Sequence, residues 1–512
     1  MATAQIPRAQ KTLTRTLLPL AILFLLLGLP CGLAAQPAEK AGEKPDRLDP
    51  ESFRKAVQGL LADRDVAPAT VAVKIVSLPD GAEIFSHKAD RALIPASSIK
   101  LATTAAALAK LGKDYRFVTR FFITARPDES GVVKGNLIVK GGGDPNISGR
   151  FHKTPTALPE QVADDLLKLG VRRVTGDIVL DDTMFDRQYV HPDWPRGELQ
   201  EWYCAGVAAL SFNDNCVEVA VAPGKKKGER ATVTVSPKND YVSVTNQCTT
   251  TDRKKYHSVK VTRSRTKNQV TVSGKFYIKA RPYRTDIAVH RPPLYFGAIF
   301  KDVLERKGIR IDGETRLAKR SLDIEKDKPV EAAKLESPLL QTLQIANRRS
   351  QNFYAEQLFK TLGYEEHGTG TFRNGAKAVA AFLEETGIEN RTLVVSDGSG
   401  LSRKNRLTAG AVAGLLAAMF DEEYRDDFLG TLSVAGKNGS ARSRLKEEPY
   451  AGRLFVKTGT MRGVSALSGY AKNIDEKWFA FAIISNGFPA GKAKKHKELE
   501  DEICRLIVRL KN

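Results

Sequence analysis

The sequence predicts a mixed α/β protein, in which one α/β domain built from both ends of the chain is interrupted by a large, mostly-β insertion. Three observations carry this prediction: a hairpin followed by an apolar helix within 70–111, β-branched runs separated by turns over 116–287, and helices that return from residue 292 and lead to two strands and a last helix. The 512 residues suffice for two or three domains with hydrophobic cores.

The first elements form a hairpin and a helix. Thr70–Val76 alternates like a strand, Pro79–Gly81 has turn composition, and Ala82–Phe85 resumes the strand pattern. Ser98–Leu111 is rich in Ala and Leu, which predicts a buried helix.

The interior of the chain, from Arg116 to about Ile287, predicts short strands separated by turns. Their β-branched residues favour extended backbone. The predicted strands are Leu137–Val139, Asp177–Leu180, Thr232–Val235, Val242–Thr245, Val259–Val261 and Val270–Val272.

Helical patterns dominate the C-terminal part. The predicted helices are Tyr295–Lys307, Leu339–Ala346, Phe353–Leu362, Ala376–Thr386 and Thr408–Met419. Thr408 is a candidate N-cap. Strands are predicted at Val464–Ala471 and Trp478–Ser485, and an amphipathic helix follows. Its apolar face carries Leu499, Ile503, Leu506, Ile507 and Leu510.

The N-terminus has the composition of a secretory signal. Three basic residues precede the apolar run Leu17–Leu29, and small residues end at Ala34 and Ala35. This run is shorter than the roughly 20 residues that a membrane helix needs. We expect export with cleavage near residue 35; an uncleaved anchor and lipidation at Cys31 are the alternatives.

The charge is strongly positive, with 80 Lys and Arg against 59 Asp and Glu, or +21. Loss of the three basic residues in the signal leaves 21 − 3 = +18. The segment 225–291 holds 17 basic and 4 acidic residues, so it carries +13. Export argues against nucleic acid as the partner. An anionic wall polymer is therefore the candidate partner of 225–291, with a solvated surface as the alternative.

Four cysteines remain after cleavage: Cys204, Cys216, Cys248 and Cys504. An oxidising compartment permits disulfides. We expect one structural disulfide plus unpaired buried thiols, and the pairing stays open. No spacing of cysteines or histidines predicts a metal or redox site.

A serine–lysine pair is the strongest chemical signal. Ser-x-x-Lys on a helix places the hydroxyl and the amine on one face, and a partly buried lysine can lose its proton near neutral pH and act as a base. The pattern occurs four times, starting at Ser52, Ser97, Ser264 and Ser443. Only Ser97–Lys100 leads directly into an apolar helix that can fix it in a core.

Two further motifs complete a set. Ser350–Asn352 is a Ser-x-Asn sequence between two predicted helices, and Lys457–Gly459 is a Lys-Thr-Gly sequence on or beside a predicted edge strand. A second Ser-x-Asn begins at Ser211. In the order Ser97–Lys100, Ser350–Asn352, Lys457–Gly459, these motifs form the serine–lysine set of penicillin-binding proteins and β-lactamases.

With these motifs, the chain resembles the D-alanyl-D-alanine carboxypeptidase/endopeptidase family, the class C low-molecular-mass penicillin-binding proteins. The stretches 137–145 (LIVKGGGDP), 209–216 (ALSFNDNC) and 397–402 (DGSGLS) support the resemblance, as does the gap of 253 residues between Ser97 and Ser350. Gln351 stands where the family usually has Asp or Asn.

The resemblance implies a penicillin-binding, β-lactamase-like transpeptidase domain with large, mostly-β inserted domains. The predicted division is a signal peptide at 1–35, a discontinuous catalytic domain at 47–117 and 336–512, an inserted domain at 118–214 and 286–335, and a basic β domain at 215–285.

It also implies a serine-type hydrolase that acts on peptidoglycan peptides through an acyl-enzyme and that β-lactams inhibit covalently, with no metal or organic cofactor. Ser97 would be the nucleophile, Lys100 its base and Ser350 the proton relay. Asn352 would bind the substrate amide, and the substrate carboxylate would meet Lys457 and Thr458. Gly459 would allow close approach. By analogy, the backbone N–H groups of Ser97 and Thr460 would form the oxyanion hole.

Two other classes remain open. A β-lactamase would deacylate rapidly, but no Glu-x-x-Leu-Asn sequence of the class A enzymes is present. A non-catalytic wall-binding scaffold of the same fold would not need the intact serine–lysine set.

Overall fold

The computed structural model describes residues 47–78, 80–388, 391–421 and 423–511. The predicted signal peptide and its cleavage site lie outside these ranges, as does Pro79 of the predicted turn. Within the described ranges, no helix combines the length and the apolar composition that crossing a membrane requires.

The described chain contains both helices and strands, with the longest run of strands in the insertion and the longest run of helices after it. The α-helices are α1 (Pro50–Leu61), α2 (Ile99–Leu111), α3 (Ala157–Lys168), α4 (Pro292–Arg306), α5 (Ile324–Asp327), α6 (Leu339–Arg348), α7 (Asn352–His367), α8 (Phe372–Glu385), α9 (Ala409–Ala418), α10 (Arg425–Thr431) and α11 (Ala493–Arg509).

The first strands belong to the N-terminal hairpin and to the insertion. They are β1 (Thr70–Leu78), β2 (Glu83–His87), β3 (Arg116–Ile123), β4 (Val132–Val133), β5 (Leu137–Lys140), β6 (Arg173–Val174), β7 (Ile178–Asp181), β8 (Cys216–Ala222), β9 (Thr232–Ser236), β10 (Ser243–Asn246) and β11 (Thr249–Thr251). The later strands are β12 (Ser258–Arg263), β13 (Gln269–Tyr277), β14 (Tyr283–Ala288), β15 (Arg310–Ile311), β16 (Thr315–Leu317), β17 (Val330–Pro338), β18 (Ser433–Val434), β19 (Leu454–Met461), β20 (Val464–Lys472) and β21 (Trp478–Asn486).

An antiparallel six-stranded sheet joins the two ends of the chain, in the order β18-β19-β20-β21-β1-β2. Because side chains alternate between the faces of a strand, the sheet has two apolar faces. One face contributes residues such as Tyr470 and Ile484 to a core shared with α2, α6, α7, α8 and α9. The other packs residues such as Val73 and Phe481 against α1 and α11. The sheet is therefore the middle layer of three.

The insertion has its own sheets and its own core. A five-stranded sheet runs β16-β7-β5-β3-β17, a three-stranded sheet runs β14-β8-β9, and β13 pairs with β10, β11 and β12. A short parallel sheet runs β15-β6-β4. Most of the buried apolar residues of these strands and of α3 and α4 form one cluster, and Phe122, Ile138 and Val179 belong to a smaller one.

Most of the predicted elements are confirmed. The hairpin forms with Ile75 opposite Phe85, and Thr408 caps α9 by accepting a hydrogen bond from the Ala411 backbone N–H at 2.9 Å. The region 116–287 consists mostly of strands, as predicted, but it also contains α3, which the sequence pattern did not predict. Its buried Pro159, Val162 and Leu166 follow helical spacing.

The predicted domain boundaries stay a prediction. The proposed limits at 117/118 and 335/336 fall within β3 and β17, which pair with each other over most of their length. These two strands continue directly into the catalytic part, because β17 ends where α6 begins.

The expected disulfide is absent from the structure. Cys204, Cys216, Cys248 and Cys504 are all buried, unpaired thiols. Cys248 lies in the core of the insertion and Cys504 in the layer below the central sheet, so they have no cysteine neighbour. Burial raises the pKa of each of the four thiols, which keeps them protonated.

Candidate active site

Ser97 and Lys100 occupy the start of the helix that the sequence predicts. Ser97 lies in a single 3₁₀ turn, Ala96–Ser98, which continues into α2. Ala96 has a φ of 46°, a conformation that costs free energy for a residue with a side chain and that surrounding contacts must maintain. Gly400 supplies one such contact, because a Cβ there would lie 2.0 Å from the Ala96 carbonyl oxygen.

The Lys100 amine is buried and held by three oxygen acceptors. Its Nζ donates to Ser97 Oγ at 3.0 Å, to Asn352 Oδ1 at 2.7 Å and to the Ser399 carbonyl at 2.6 Å. Burial lowers the pKa of Lys100 to about 7, although the carboxylates of Glu356 and Asp397 act in the opposite direction. The three donated hydrogen bonds describe the charged lysine; near neutral pH part of Lys100 is neutral, and the neutral amine can accept a proton from the Ser97 hydroxyl.

Ser350 and Lys457 form a second hydroxyl–amine pair beside the first. Ser350 connects α6 and α7 with a φ of 56°, and its Oγ accepts a hydrogen bond from Lys457 Nζ at 2.7 Å. Burial, and then the charge of Lys100, keep the pKa of Lys457 well below its usual value. An anion bound in front of the pair would favour the charged lysine.

The Lys-Thr-Gly sequence lies in β19. The short strand β18 pairs with the outer edge of β19 only at residues 455 and 456. A Cβ on Gly459 would stand 3.0 Å from the Pro95 carbonyl oxygen and 3.2 Å from the Ser97 backbone nitrogen, so glycine lets the strand approach the turn that carries Ser97. The next residue, Thr460, is exposed at the cleft. The Thr458 hydroxyl instead donates to Ser440 Oγ at 2.8 Å and does not line the cleft.

A cleft of about 1030 Å³ opens in front of these groups. Four of the eight predicted site residues line it: Ser97, Ser350, Asn352 and Thr460. Lys100, Lys457 and Gly459 lie directly behind its wall, in contact with those residues. The structure thus brings seven of the eight together and turns the Thr458 hydroxyl toward Ser440. In the described part of the chain, no cluster of His, Cys, Asp and Glu side chains has the arrangement of a metal site.

Two buried carboxyl groups that sequence reasoning missed organise the site from behind. Glu356 lies one helical turn after Asn352 on α7 and accepts hydrogen bonds from the backbone N–H groups of Gly398 and Ser399, at 3.1 and 2.8 Å. These bonds hold the Ser399 carbonyl against Lys100. Burial, with the charge of Asp397, raises the pKa of Glu356 to about 8. The four-residue spacing from Asn352 places both side chains on one face of the helix, and it was the one feature of the sequence that pointed to Glu356.

Asp397 is the centre of the loop 397–402. Its Oδ1 accepts from the backbone N–H of Gly400 at 2.8 Å and from Asn405 Nδ2 at 2.7 Å. Its Oδ2 accepts from the backbone N–H of Ser402 at 2.6 Å and from Trp194 Nε1 at 2.9 Å. The stretch 397–402 supported the family resemblance, but no role for Asp397 followed from it.

Gln351 anchors the catalytic loop to the insertion. The side chain is 6% exposed, and its Nε2 donates to Asp214 Oδ2 at 3.2 Å. Asp214 also forms an ion pair with Arg150, whose guanidinium lies 5.7 Å from the ring centroid of Tyr354. The variable middle residue of Ser-x-Asn thus contacts structure that lies outside the catalytic motifs.

The fold and the site together define the class of the penicillin-binding serine peptidases. The model of the D-Ala-D-Ala carboxypeptidase 3 (S13) family matches residues 53–509. The chain therefore belongs to this family of serine peptidases, which confirms the predicted family and enzyme class.

Individual relatives agree with the family match. The chain is 31% identical over 491 residues to a D-alanyl-D-alanine carboxypeptidase of Actinomadura sp. (strain R39), covering 94% of this chain and 87% of the relative. It is 26% identical to the D-alanyl-D-alanine carboxypeptidase DacB of Haemophilus influenzae, covering 80% and 83%.

A solved structure confirms the predicted fold. The crystal structure of penicillin binding protein 4 from Haemophilus influenzae superposes with a TM-score of 0.76 at 24% identity, covering 88% of this chain and 99% of that one. The match includes the insertion, so the penicillin-binding fold with additional domains extends over nearly the whole described chain.

Proposed function

We propose that this protein is a serine-type D-Ala-D-Ala carboxypeptidase, a DD-endopeptidase or both, which cleaves peptidoglycan stem peptides through an acyl-enzyme on Ser97 and binds penicillin covalently. One observation carries the proposal. A buried amine with a pKa of about 7 lies 3.0 Å from a hydroxyl that faces a cleft, so base and nucleophile are already in hydrogen-bond contact.

The acylation step follows from the two hydroxyl–amine pairs. Ser97 Oγ attacks the carbonyl carbon of the D-Ala peptide bond while Lys100 Nζ takes its proton. The C–N bond then breaks, and Ser350 passes a proton to the departing amine, with Lys457 held against its Oγ. Water cleaves the resulting ester and regenerates the Ser97 hydroxyl.

The remaining groups position the substrate. The backbone N–H groups of Ser97 and Thr460 are the proposed oxyanion hole, and loss of one such donor typically costs about 10²–10³ in rate. Lys457 supplies the positive charge that attracts the substrate carboxylate. Asn352 contributes its side-chain amide, which also accepts from Lys100. The Thr458 hydroxyl donates to Ser440 and acts on the substrate through that residue.

A fluorescent penicillin separates this function from the two alternatives. The proposed enzyme keeps a stable label, a β-lactamase turns the compound over rapidly, and a non-catalytic scaffold takes no label. Digestion of purified peptidoglycan, with the muropeptides resolved by mass, then measures the carboxypeptidase and endopeptidase activities separately.

The position of the label gives the first prediction. We expect peptide mapping of the penicillin adduct to place it on Ser97, because this serine alone among the four Ser-x-x-Lys matches lies against a buried lysine and a cleft. A Ser97→Ala variant should take no label, whereas Ser443→Ala should label normally. A label on Ser52, Ser264 or Ser443 would overturn the assignment.

We also propose that the protein is exported and acts in the periplasm or cell envelope, on the basis of the signal composition of residues 1–35. Sequencing the N-terminus of the protein recovered from the envelope would test this.

The basic segment 225–291 is a proposed second contact with the wall. The clusters Lys225–Lys227 and Arg253–Lys255 are exposed, and of these six side chains Lys227 forms an ion pair with Asp252. The amines of Lys255 and Lys275 lie 5.1 and 5.4 Å from the ring centroid of exposed Tyr256. This surface could dock the enzyme on an anionic wall polymer.

If it does, affinity for intact sacculi should fall as salt rises, because exposed charges are screened beyond about 8–10 Å at physiological ionic strength. Reversing the charge of Lys225–Lys227 and Arg253–Lys255 should weaken sacculus binding and spare cleavage of a small D-Ala-D-Ala peptide. Sacculus binding that is unchanged across the salt series would reject docking and favour a solvated surface.

A further inference from the structure

A second cavity, of about 680 Å³, adjoins the catalytic cleft, and we call it the side cavity. Trp202 and Arg349 line both spaces. The side cavity lies between the loop that carries the catalytic Ser350 and strands β8 and β14 of the insertion. Its volume falls within the range of about 300–1,000 Å³ that is usual for ligand pockets. None of the predicted site residues lines it.

One wall of the side cavity carries an unfavourable pair of charges. Glu218 on β8 and Asp286 on β14 are direct partners in the antiparallel ladder, and like charges in that position destabilise a sheet. Arg284 pairs with Glu218, but Asp286 forms no ion pair or side-chain hydrogen bond with any other residue that the structure describes. Partial desolvation, then the charges of Glu218 and Asp214, raise the pKa of Asp286, although the Arg150 guanidinium, which also lines the cavity, acts in the opposite direction. An ammonium group would relieve this repulsion.

The lining of the side cavity also carries a cation and an aromatic ring. The Arg349 side chain is exposed and, within the described chain, has no acidic partner; guanidinium is well suited to binding a carboxylate through two hydrogen bonds. The indole of Trp202 is 41% exposed, which leaves an apolar surface between the two spaces. Gln351 also lines the side cavity, and its buried Oε1 has no hydrogen-bond partner. The side cavity thus offers separate positions for groups of both charges.

The mechanism indicates which part of a substrate would reach this space. Ser350 is the proposed proton donor to the departing amine, so that amine leaves beside Ser350, and Arg349 is the adjacent residue. A carboxypeptidase releases a single amino acid, which needs little room. An endopeptidase releases a whole second peptide that is attached to the same nitrogen, and this peptide needs space beyond Ser350.

We propose that the side cavity binds the departing peptide of a cross-linked stem-peptide dimer, with Asp286 and Glu218 binding an ammonium group and Arg349 a carboxylate. This inference rests on the proposed acyl-enzyme mechanism. In that step the Ser97 Oγ–carbon bond forms, the cross-link C–N bond breaks, and the Ser97 proton, taken by Lys100, is balanced by the proton that Ser350 delivers to the departing amine. The second peptide then leaves through the side cavity.

The test compares two substrates on the full-length mature enzyme. A peptide-cross-linked muropeptide dimer with free amino and carboxyl groups reports on the side cavity, and a small acetylated tripeptide ending in D-Ala-D-Ala reports on the Ser97 cleft alone. For Asp286→Asn we expect kcat/KM to fall about tenfold for the dimer, mainly through KM, and to stay within about twofold for the tripeptide. Glu218→Gln is the second variant, and Glu314→Gln, an exposed carboxylate on the surface, is the matched control.

Thermal unfolding distinguishes a binding role of Asp286 from a structural one. Because Asp286→Asn removes a like-charge pair, its Tm should equal or exceed that of the parent. Equal falls in kcat/KM for the dimer and the tripeptide, with or without a lowered Tm, would overturn the inference. Unchanged kcat/KM for the dimer in both cavity variants would overturn it as well. So would a parent enzyme that cleaves the tripeptide and takes the penicillin label but leaves the dimer intact. An enzyme without label and without either cleavage would instead contradict the proposed function itself.

Discussion

For Lys100→Arg we expect the rate of acylation by penicillin to fall about 10²–10⁴-fold at every pH, which is the usual contribution of a general base. Arginine keeps a positive charge in the same place, but its guanidinium does not lose a proton in proteins. In the proposed mechanism neutral Lys100 is the base, so the acylation rate of the parent should rise with pH through about 7, the pKa to which burial lowers this lysine.

The measurement is the second-order rate of labelling by a fluorescent penicillin from pH 5 to 9. Lys110→Arg is the matched control, because Lys110 lies on the same helix at the surface and pairs with Glu385. It should retain the parent profile. Near-normal labelling of Lys100→Arg would refute lysine as the base, and a parent rate that does not change between pH 6 and 8 would contradict the role of its deprotonation.

Asp397→Ala is expected to lower the free energy of unfolding by about 3–5 kcal/mol, because it leaves four buried donors without their acceptor. These donors are Trp194 Nε1, Asn405 Nδ2 and the backbone N–H groups of Gly400 and Ser402. The loop 397–402 also holds the Ser399 carbonyl against Lys100, so penicillin labelling should fall with stability.

Chemical denaturation measures this loss of unfolding free energy, and two further variants give values to compare it with. Trp194→Phe removes one donor and should cost about 1 kcal/mol. Asp114→Ala removes an exposed carboxylate and should change stability by less than about 0.5 kcal/mol. A destabilisation by Asp397→Ala no larger than that of Asp114→Ala would show that this carboxylate does not organise the loop.

The catalytic motifs were predictable because each depends on local sequence. Ser97 and Lys100 are one helical turn apart, so helix geometry alone places the hydroxyl near the amine. Ser350 follows from its place between two amphipathic helices, and β19 follows from its apolar strand pattern. The α3 helix was missed because its short apolar stripe lies within a region where β-branched runs dominate the pattern.

The long-range contacts could not be predicted in this way. Lys100 and Ser399 are 299 residues apart, and Lys457 and Ser350 are 107 apart, so no local pattern relates them. Gln351 stands where the family usually has Asp or Asn, and only the fold shows that its side chain contacts Asp214 of the insertion. For the cysteines, the sequence predicted a contact that the fold does not make. Composition and the expected compartment permitted a disulfide, but the four thiols are buried and unpaired.

The sequence by itself determined the fold class and the order of the three motifs, and it made Ser97 the candidate nucleophile, because helix and strand periodicity are local properties of the chain. Only the tertiary structure decided the chemistry of Lys100, since its pKa depends on complete burial and on carboxyl groups contributed by α7 and the loop 397–402. The side cavity is likewise a product of packing, because it exists only where the Ser350 loop meets β8 and β14. Burial and the distances between remote groups set these properties, and neither is encoded in the spacing of residues along the chain.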